Sequence, residues 1–312
     1  MMSDSPKVSV LLPVYNGQQF LREAVQSVLD QSFQDFELIA LDDGSSDRSL
    51  PILHEFAARD PRVRVISREN RGLVATLNQL IGEARGEYLA RMDADDICDP
   101  GRFAMQCRIL EQEPDVGVVG ASVLHIDADG RPICRIAPPE THTEIDALHL
   151  TGHCSIWHPT VIMRAGLVRA MGGYRSAFEY AEDFDLWLRM AEHCQLRNVR
   201  AVLLRYRIHA KSISEVFGTR QDERTRQACE EAWVRRGIHG TYKSDGHWRA
   251  QGSGQSRLKF ALQYGWTAWA SGFRETWRTY AWKAVCMAPF SGEAWKLLLL
   301  GWLRRPPQGG GV

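Results

Sequence analysis

The sequence predicts an α/β protein in which helices cover a sheet. Three observations carry this. Short apolar runs alternate with stretches of helical periodicity over the first 92 residues. The runs are continuously apolar, as in strands buried on both faces. Turn residues close each of them.

Val8–Val14 is the first run, closed by Tyr15-Asn16-Gly17. From Gln18, residues Phe20, Leu21, Ala24, Val25, Val28 and Leu29 keep helical spacing. Phe36–Leu41 predicts a second strand and runs straight into Asp42-Asp43-Gly44-Ser45-Ser46-Asp47. A helix over Ser49–Ala58, a strand over Val63–Ile66, a helix over Leu73–Ala84 and a strand over Tyr88–Met92 follow. This alternation implies parallel strands, whose ligands bind beyond their carboxyl ends. Three features sit at such ends and are expected in one crevice: Pro13–Gly17, Asp42–Ser46 and Asp93–Asp96.

Further along, Val116–Val123 predicts a strand and Asp127-Ala128-Asp129-Gly130 a hairpin turn. That second Asp-x-Asp, beside Gly130 and Pro132, is read as a turn and not as a metal site. Pro138–Thr143 predicts a loop, Glu144–Leu150 a short helix, Trp157–Arg164 a strand and Gly172-Gly173-Tyr174 a turn. Phe184, Trp187, Leu188 and Ala191 are helically spaced, which places Glu182 and Asp183 at a helix start. Val202–His209 is a further strand, leading to Ala210–Ser214. Beyond Thr219 the character changes. A charged helix spans Arg220–Arg235, a linker Gly240–Ser256, and two helices Leu258–Met287 and Gly292–Arg304; Pro306–Val312 is a disordered end. The expected division is a catalytic domain over 1–217 and a Trp-rich helical region over 218–312. The nucleotide-sugar half of the first is about 7–100 and the acceptor half about 101–217.

The totals exclude several classes. At 312 residues, 44% hydrophobic and 24% charged, the chain is an ordinary globular protein able to bury a large core. With 38 basic and 38 acidic residues it lacks the basic excess of a nucleic-acid binder. The seven cysteines include no Cys-x-x-Cys and predict free thiols in a reducing cytoplasm. The N-terminus has no signal-peptide pattern, and no apolar run reaches the roughly 18 residues of a transmembrane helix. Dinucleotide (Gly-x-Gly-x-x-Gly) and P-loop motifs are absent after the first strand.

Asp93, Asp95, Asp96 and Asp99 fall within seven positions. Like charges that close rarely persist in a fold without a cation or hydrogen-bond donors. Carboxylates suit Mg²⁺ or Mn²⁺, which share their shell with substrate phosphates; an acidic surface turn is the alternative. Asp42-Asp43 could accept hydrogen bonds from a base or ribose, or could form a turn in which Ser45 caps the next helix. Asn70-Arg71-Gly72 and Asn78 read equally as a turn and helix start or as polar contacts to base and phosphates.

Together, Val8–Gly17, Asp42-Asp43-Gly44-Ser45, Asn70-x-Gly72 with Asn78, Gly86-Glu87-Tyr88 and Asp93-x-Asp95-Asp96 resemble the family 2 glycosyltransferases of GT-A fold. Five motifs at matched spacing over about 90 residues are far more specific than any one of them. The resemblance covers about residues 7–215. It implies a Rossmann-like mixed sheet flanked by helices, a nucleotide-diphosphate sugar (a uridine one expected), a divalent metal and inversion at the anomeric carbon. It implies that Asp43 bonds the base and Asp42 supports the same loop. Pro13, Tyr15 and Arg71 would line the nucleoside pocket. Asp93 would stand near ribose and metal, Asp95 would ligate the metal and Asp96 would stand behind it.

Sugar transfer to a hydroxyl needs a base, and in-line attack puts that base across the sugar from the diphosphate. It must therefore come from another part of the chain. Glu182-Asp183 matches the family's Glu-Asp motif, which implies Asp183 as base and Glu182 as an orienting residue; stabilisation by the helix dipole is the structural alternative. Tyr206-Arg207-x-His209 resembles a family segment whose His approaches metal or diphosphate, making His209 and Arg207 candidates there. The Gln-x-x-Arg-Trp motif of processive synthases is absent.

The expected activity is transfer of one or a few sugars to a glycan or lipid-linked acceptor at the cytoplasmic face of a membrane, in surface polysaccharide or glycoconjugate synthesis. The rivals are a sugar-1-phosphate nucleotidyltransferase and a degenerate nucleotide-binding scaffold. The former would need a Gly-rich basic loop where Pro13-Val14-Tyr15-Asn16-Gly17 stands. The Trp residues of the tail predict either packing on the catalytic domain or a membrane-surface patch.

Overall fold

The computed structural model describes residues 5–209, 218–243 and 254–303. Ala210–Ser214, most of the expected linker and the expected disordered end lie outside the described residues.

Strands β1 (Val8–Val14), β2 (Phe36–Asp43), β3 (Val63–Arg68) and β4 (Tyr88–Arg91) alternate with helices α1 (Leu21–Leu29), α2 (Ser49–Ala57) and α3 (Leu73–Glu83). Then come β5 (Ile97–Cys98), α4 (Arg102–Gln112), β6 (Val116–Ile126), β7 (Pro132–Ile136), α5 (His142–His149), β8 (Ile162–Arg164), α6 (Ala165–Ala170), α7 (Glu182–Met190) and β9 (Gln195–Arg207). Helices α8 (Gly218–Arg236), α9 (Gly254–Ala270), α10 (Arg274–Met287) and α11 (Gly292–Leu303) close the described chain. The strand order is β3-β2-β1-β4-β8-β6-β9-β5, with β7 paired to β6. Pairings β1–β2, β1–β4 and β2–β3 are parallel, whereas β4–β8, β6–β8 and β5–β9 are antiparallel. The sheet is therefore mixed.

The continuous apolar strands are buried on both faces, as their pattern predicts. Every residue of β2 and β4 is buried. Leu11, Ile39 and Leu89 of the sheet pack with Leu77 and Leu80 of α3 and Trp187 of α7. Each such side chain contributes about 1.5–3 kcal/mol. At the amino ends of the strands, buried Glu37 accepts hydrogen bonds from Ser9, Arg64 and Arg85.

Two local expectations fail, each for a physical reason, and one helix lies where none was assigned. The stretch 102–112, left without an assignment, forms α4. Its buried face is Arg102, Phe103, Gln106, Cys107 and Leu110, so two polar residues interrupt the apolar period. Trp157–Arg164 is not one strand. Pro159 has no N–H for a ladder, and His158–Thr160 forms a 3₁₀ turn before the short β8. The expected helix Leu258–Met287 is two helices. Its break is closed by Gly272 and Phe273 amides bonding back to Trp269 and Ala268.

Two compact units result. The first comprises 1–123, 137–205 and 219–245, the second 124–136, 206–218 and 246–312. Compactness thus divides the chain elsewhere than after residue 217. Ala228, Cys229 and Ala232 of α8 pack with Phe178, Phe184 and Leu188 in the first unit. Within the second unit, Trp277 and Tyr280 lie in a core with Ile133, Ile208 and Leu297. There Asp127 is the expected turn residue: its carboxylate accepts from the amides of Asp129 and Arg131 and from the Tyr280 hydroxyl.

Candidate active site

Because β1, β2 and β4 are parallel neighbours, their carboxyl ends share one edge, and the three expected loops meet there. The Asn16 amide donates to Ser45 Oγ at 2.9 Å, and the Ser46 amide donates to Asn16 Oδ1 at 2.8 Å. A Cβ on Gly17 would stand 3.4 Å from Ala94. Pro13 is half-buried and Tyr15 exposed at this edge.

Asp43 organises the neighbouring loop. Its carboxylate accepts the amides of Arg71 at 3.1 Å and Gly72 at 2.8 Å, and pairs with the Arg68 guanidinium. Arg68 is fixed in turn on Thr76. Gly44 has φ of 76°, and a Cβ there would stand 2.7 Å from the Asn70 amide, so the close approach of the two loops needs glycine. Asp42 is 1% exposed; Oδ2 accepts from Ser45, while Oδ1 is buried with no hydrogen-bond partner. Asn70 and Arg71 present exposed side chains beside this carboxylate pair. Asn78 does not. Its side-chain amide donates to the Tyr174 carbonyl at 2.8 Å and accepts the Tyr174 N–H at 2.9 Å. These two bonds tie α3 to the backbone at Tyr174.

Beyond β4, Asp93, Asp95 and Asp96 bring carboxylate oxygens within 4.8 Å of one another. Three hard oxygen donors at that spacing fit Mg²⁺ or Mn²⁺. Asp96 thus joins the cluster directly. His209 follows β9 and belongs to the second unit.

One neighbour escaped the sequence reading. Arg91, 4% exposed, ends β4 and is ion-paired with Asp93. Burial alone would lower its pKa; the Asp93 charge overrides this and holds it cationic. Burial pushes the Asp93 pKa up, the Asp95 charge adds to this, and Arg91 opposes it. A charged residue inside an otherwise apolar strand, two positions before an Asp, was the available signal.

Glu182 and Asp183 stand at the first turn of α7. Asp183 Oδ1 accepts the Phe184 amide at 2.7 Å. Burial and the Asp183 charge push Glu182 up to about 8. Burial also raises Asp183, against the Phe184 amide and Arg91, and the Asp93 charge reinforces the rise. The two acidic groups therefore lie within electrostatic reach, with Arg91 acting on both. Gly173 keeps the supporting loop tight: at φ of 69°, its Cβ would meet Asn78 Oδ1 at 2.5 Å.

Residues 9–168 match the family model described as Glycosyl transferase family 2. The chain belongs to glycosyltransferase family 2. This family 2 chain is 39% identical over 195 residues to the putative glycosyltransferase EpsE of Bacillus subtilis, covering 61% of this chain and 69% of that one. Two solved structures are similar in fold. S. aureus TarS bound to UDP-GlcNAc has a TM-score of 0.60 at 17% identity, over 91% of this chain and 82% of that one. The mannosyltransferase of Pyrobaculum calidifontis bound to GDP-Man and Mn²⁺ has a TM-score of 0.57 at 18% identity, over 96% and 81%. The fold of the glycosyltransferase is thus GT-A, a curled mixed sheet with flanking helices, followed by further C-terminal helices. No helix of the described residues is long and apolar enough to cross a membrane.

Proposed function

We propose that this protein is a metal-dependent, inverting glycosyltransferase that moves a sugar from a UDP-sugar to a hydroxyl of a glycan or lipid-linked acceptor. The observation that supports this is a pair of separate acidic groups within electrostatic reach of each other. The triad Asp93, Asp95 and Asp96 suits a cation, and Asp183, within electrostatic reach of Asp93, is the candidate base.

Asp95, with Asp93 and Asp96, would hold Mn²⁺ or Mg²⁺. That ion would supply charge stabilisation for the leaving diphosphate. Asp43 and Asp42, with the loop Asn70–Gly72, Pro13 and Tyr15, would bind the nucleoside. Asp183 would accept the proton of the acceptor hydroxyl as the new C–O bond forms and the diphosphate departs with its electron pair. A base whose pKa is raised toward the working pH is better matched to that transfer than an ordinary carboxylate. Glu182, nearer its own neutral form, would orient the acceptor. In this account residues 7–100 bind the donor and 101–217 the acceptor. His209 and Arg207 remain diphosphate-side candidates on sequence grounds.

A role in surface polysaccharide or glycoconjugate synthesis at the cytoplasmic face of a membrane fits the second unit. Trp282 on α10 is 60% exposed and Phe290, in the turn between α10 and α11, 100% exposed, with Lys283 on α10 and Lys296 on α11 also exposed. Exposed aromatics with basic neighbours suit a membrane surface carrying a lipid-linked acceptor.

The test is titration calorimetry with UDP, with and without Mn²⁺, on wild type and Asp95→Ala. Mn²⁺-dependent binding lost in the variant supports the proposal. Failure to bind UDP moves the donor to GDP or dTDP. Failure with all three overturns a transferase and leaves a scaffold.

A further inference from the structure

His158 has no role in the chemistry above, yet it is built into the site. It is 8% exposed, in the turn before β8. Its Nε2 lies 2.8 Å from the Tyr174 hydroxyl, and its Nδ1 lies 4.0 Å from Asp183 Oδ2. The edge of its ring meets Trp187 at 5.9 Å between centroids. Tyr174, 2% exposed, is pinned on both backbone groups by Asn78. A line of contacts therefore runs from α3 through buried Tyr174 and His158 toward the candidate base.

We propose that His158 is a positioning residue: Tyr174 fixes it as the Nδ1–H tautomer, and that N–H aims Asp183 and favours its carboxylate form. This rests on Asp183 being the base. The tautomer follows from electrostatics. Burial, then the charge of Arg91, push the His158 pKa well below its ordinary value, so the ring is neutral and carries one N–H. Burial likewise raises the Tyr174 pKa, so its hydroxyl keeps its proton. If Nε2 carried the hydrogen, the Nδ1 lone pair would face a carboxylate oxygen. If Nδ1 carries it, the Tyr174 O–H donates to Nε2 and the imidazole N–H faces Asp183, so both contacts attract.

The 4.0 Å separation exceeds a hydrogen bond by about 1 Å. Catalytic hydrogen bonds of this kind tighten in the substrate complex. In the transfer itself His158 keeps its proton. The acceptor proton moves to Asp183, the acceptor oxygen bonds the anomeric carbon, and the carbon–oxygen bond to the diphosphate breaks.

The experiment uses the full chain. The substrate is whichever of UDP-N-acetylglucosamine, UDP-glucose, UDP-galactose and GDP-mannose wild type hydrolyses fastest. His158→Phe should lower kcat about 10- to 100-fold, with KM for the nucleotide sugar and binding of the free nucleotide little changed. His158→Asn, whose amide nitrogen can stand where Nδ1 stood, should recover most of that loss. Tyr174→Phe should fall between them. His158→Phe should cost nothing further in Asp183→Asn. ¹⁵N spectra of histidine-labelled protein, which need no substrate, should show His158 as the Nδ1–H form. Normal turnover in His158→Phe, no recovery in His158→Asn, or an Nε2–H form overturns the proposal. Full turnover in Asp183→Asn overturns the base assignment and this proposal with it. An inactive Asp183→Asn beside a normal His158→Phe overturns only the role of His158.

Discussion

The buried guanidinium of Arg91 is ion-paired with the carboxylate of Asp93. One protein cation thus already stands among acids that would otherwise repel. Removing it as Arg91→Met leaves Asp93 and its neighbours without their counter-charge, which costs about 3–5 kcal/mol for a buried pair. The melting temperature should fall. Mn²⁺ should then raise it more in the variant than in wild type, because the ion meets less opposing positive charge. Thermal melts of both proteins with and without Mn²⁺ check this; equal shifts would count against a cation site at the triad.

Glu182 titrates near 8 instead of the ordinary 4.5, through burial and the neighbouring Asp183 charge. A carboxyl whose folded pKa is raised gives full stability below 4.5. That stability is lost as pH rises through about 8. Glu182→Gln stays neutral throughout and escapes the loss. Relative to wild type its melting temperature should therefore climb between those two pH values and level off above them. A constant difference across the range would show that Glu182 is ionised in the folded protein at neutral pH.

Glu37 works in the opposite direction. Burial would raise its pKa, but hydrogen bonds from Arg85 and Ser9 hold it down at about 2. A lowered carboxyl stabilises above its ordinary 4.5, and the contribution disappears as pH falls toward 2. Glu37→Gln should cost about 1–3 kcal/mol at neutral pH and should lose less stability than wild type in acid. Since Glu37 lies at the amino ends of the strands, nucleotide binding at neutral pH should be unchanged. Denaturant titrations at neutral and acid pH, with UDP binding alongside, read both effects.

The donor-side loops were legible because their signals are local. Fully apolar strands announce a buried sheet, and Asp42-Asp43 and Asp93-x-Asp95 stand at the ends of β2 and β4. What sequence could not show depends on contacts made far along the chain. Asn78 meets Tyr174, 96 positions away. His158 precedes a proline and reads as an isolated histidine until the fold sets it between Tyr174 and Asp183. The α4 helix was invisible for a related reason: Arg102 and Gln106 face the core, and only their distant carbonyl partners make such burial tolerable.

Arg102 supplies the last prediction. It is 0% exposed, and its Nη2 donates to the carbonyls of Arg91 at 2.9 Å and Val161 at 3.0 Å. Gln106, one turn on, donates to Val119 and Thr160 at 2.7 and 2.8 Å. Together they tie the end of β4, where the acidic triad begins, to the turn that carries His158. Arg102→Met keeps the bulk but leaves two buried carbonyls without a charged donor, a loss of about 3 kcal/mol. If the clamp also sets the separation of triad and base, turnover should fall at temperatures where the variant is still folded, while UDP binding, which needs only the donor edge, should persist. Circular dichroism melts, calorimetry with UDP and Mn²⁺, and nucleotide-sugar hydrolysis separate these effects. Parallel loss of binding and turnover would mean that Arg102 supports the fold as a whole and not the spacing of the two acidic groups.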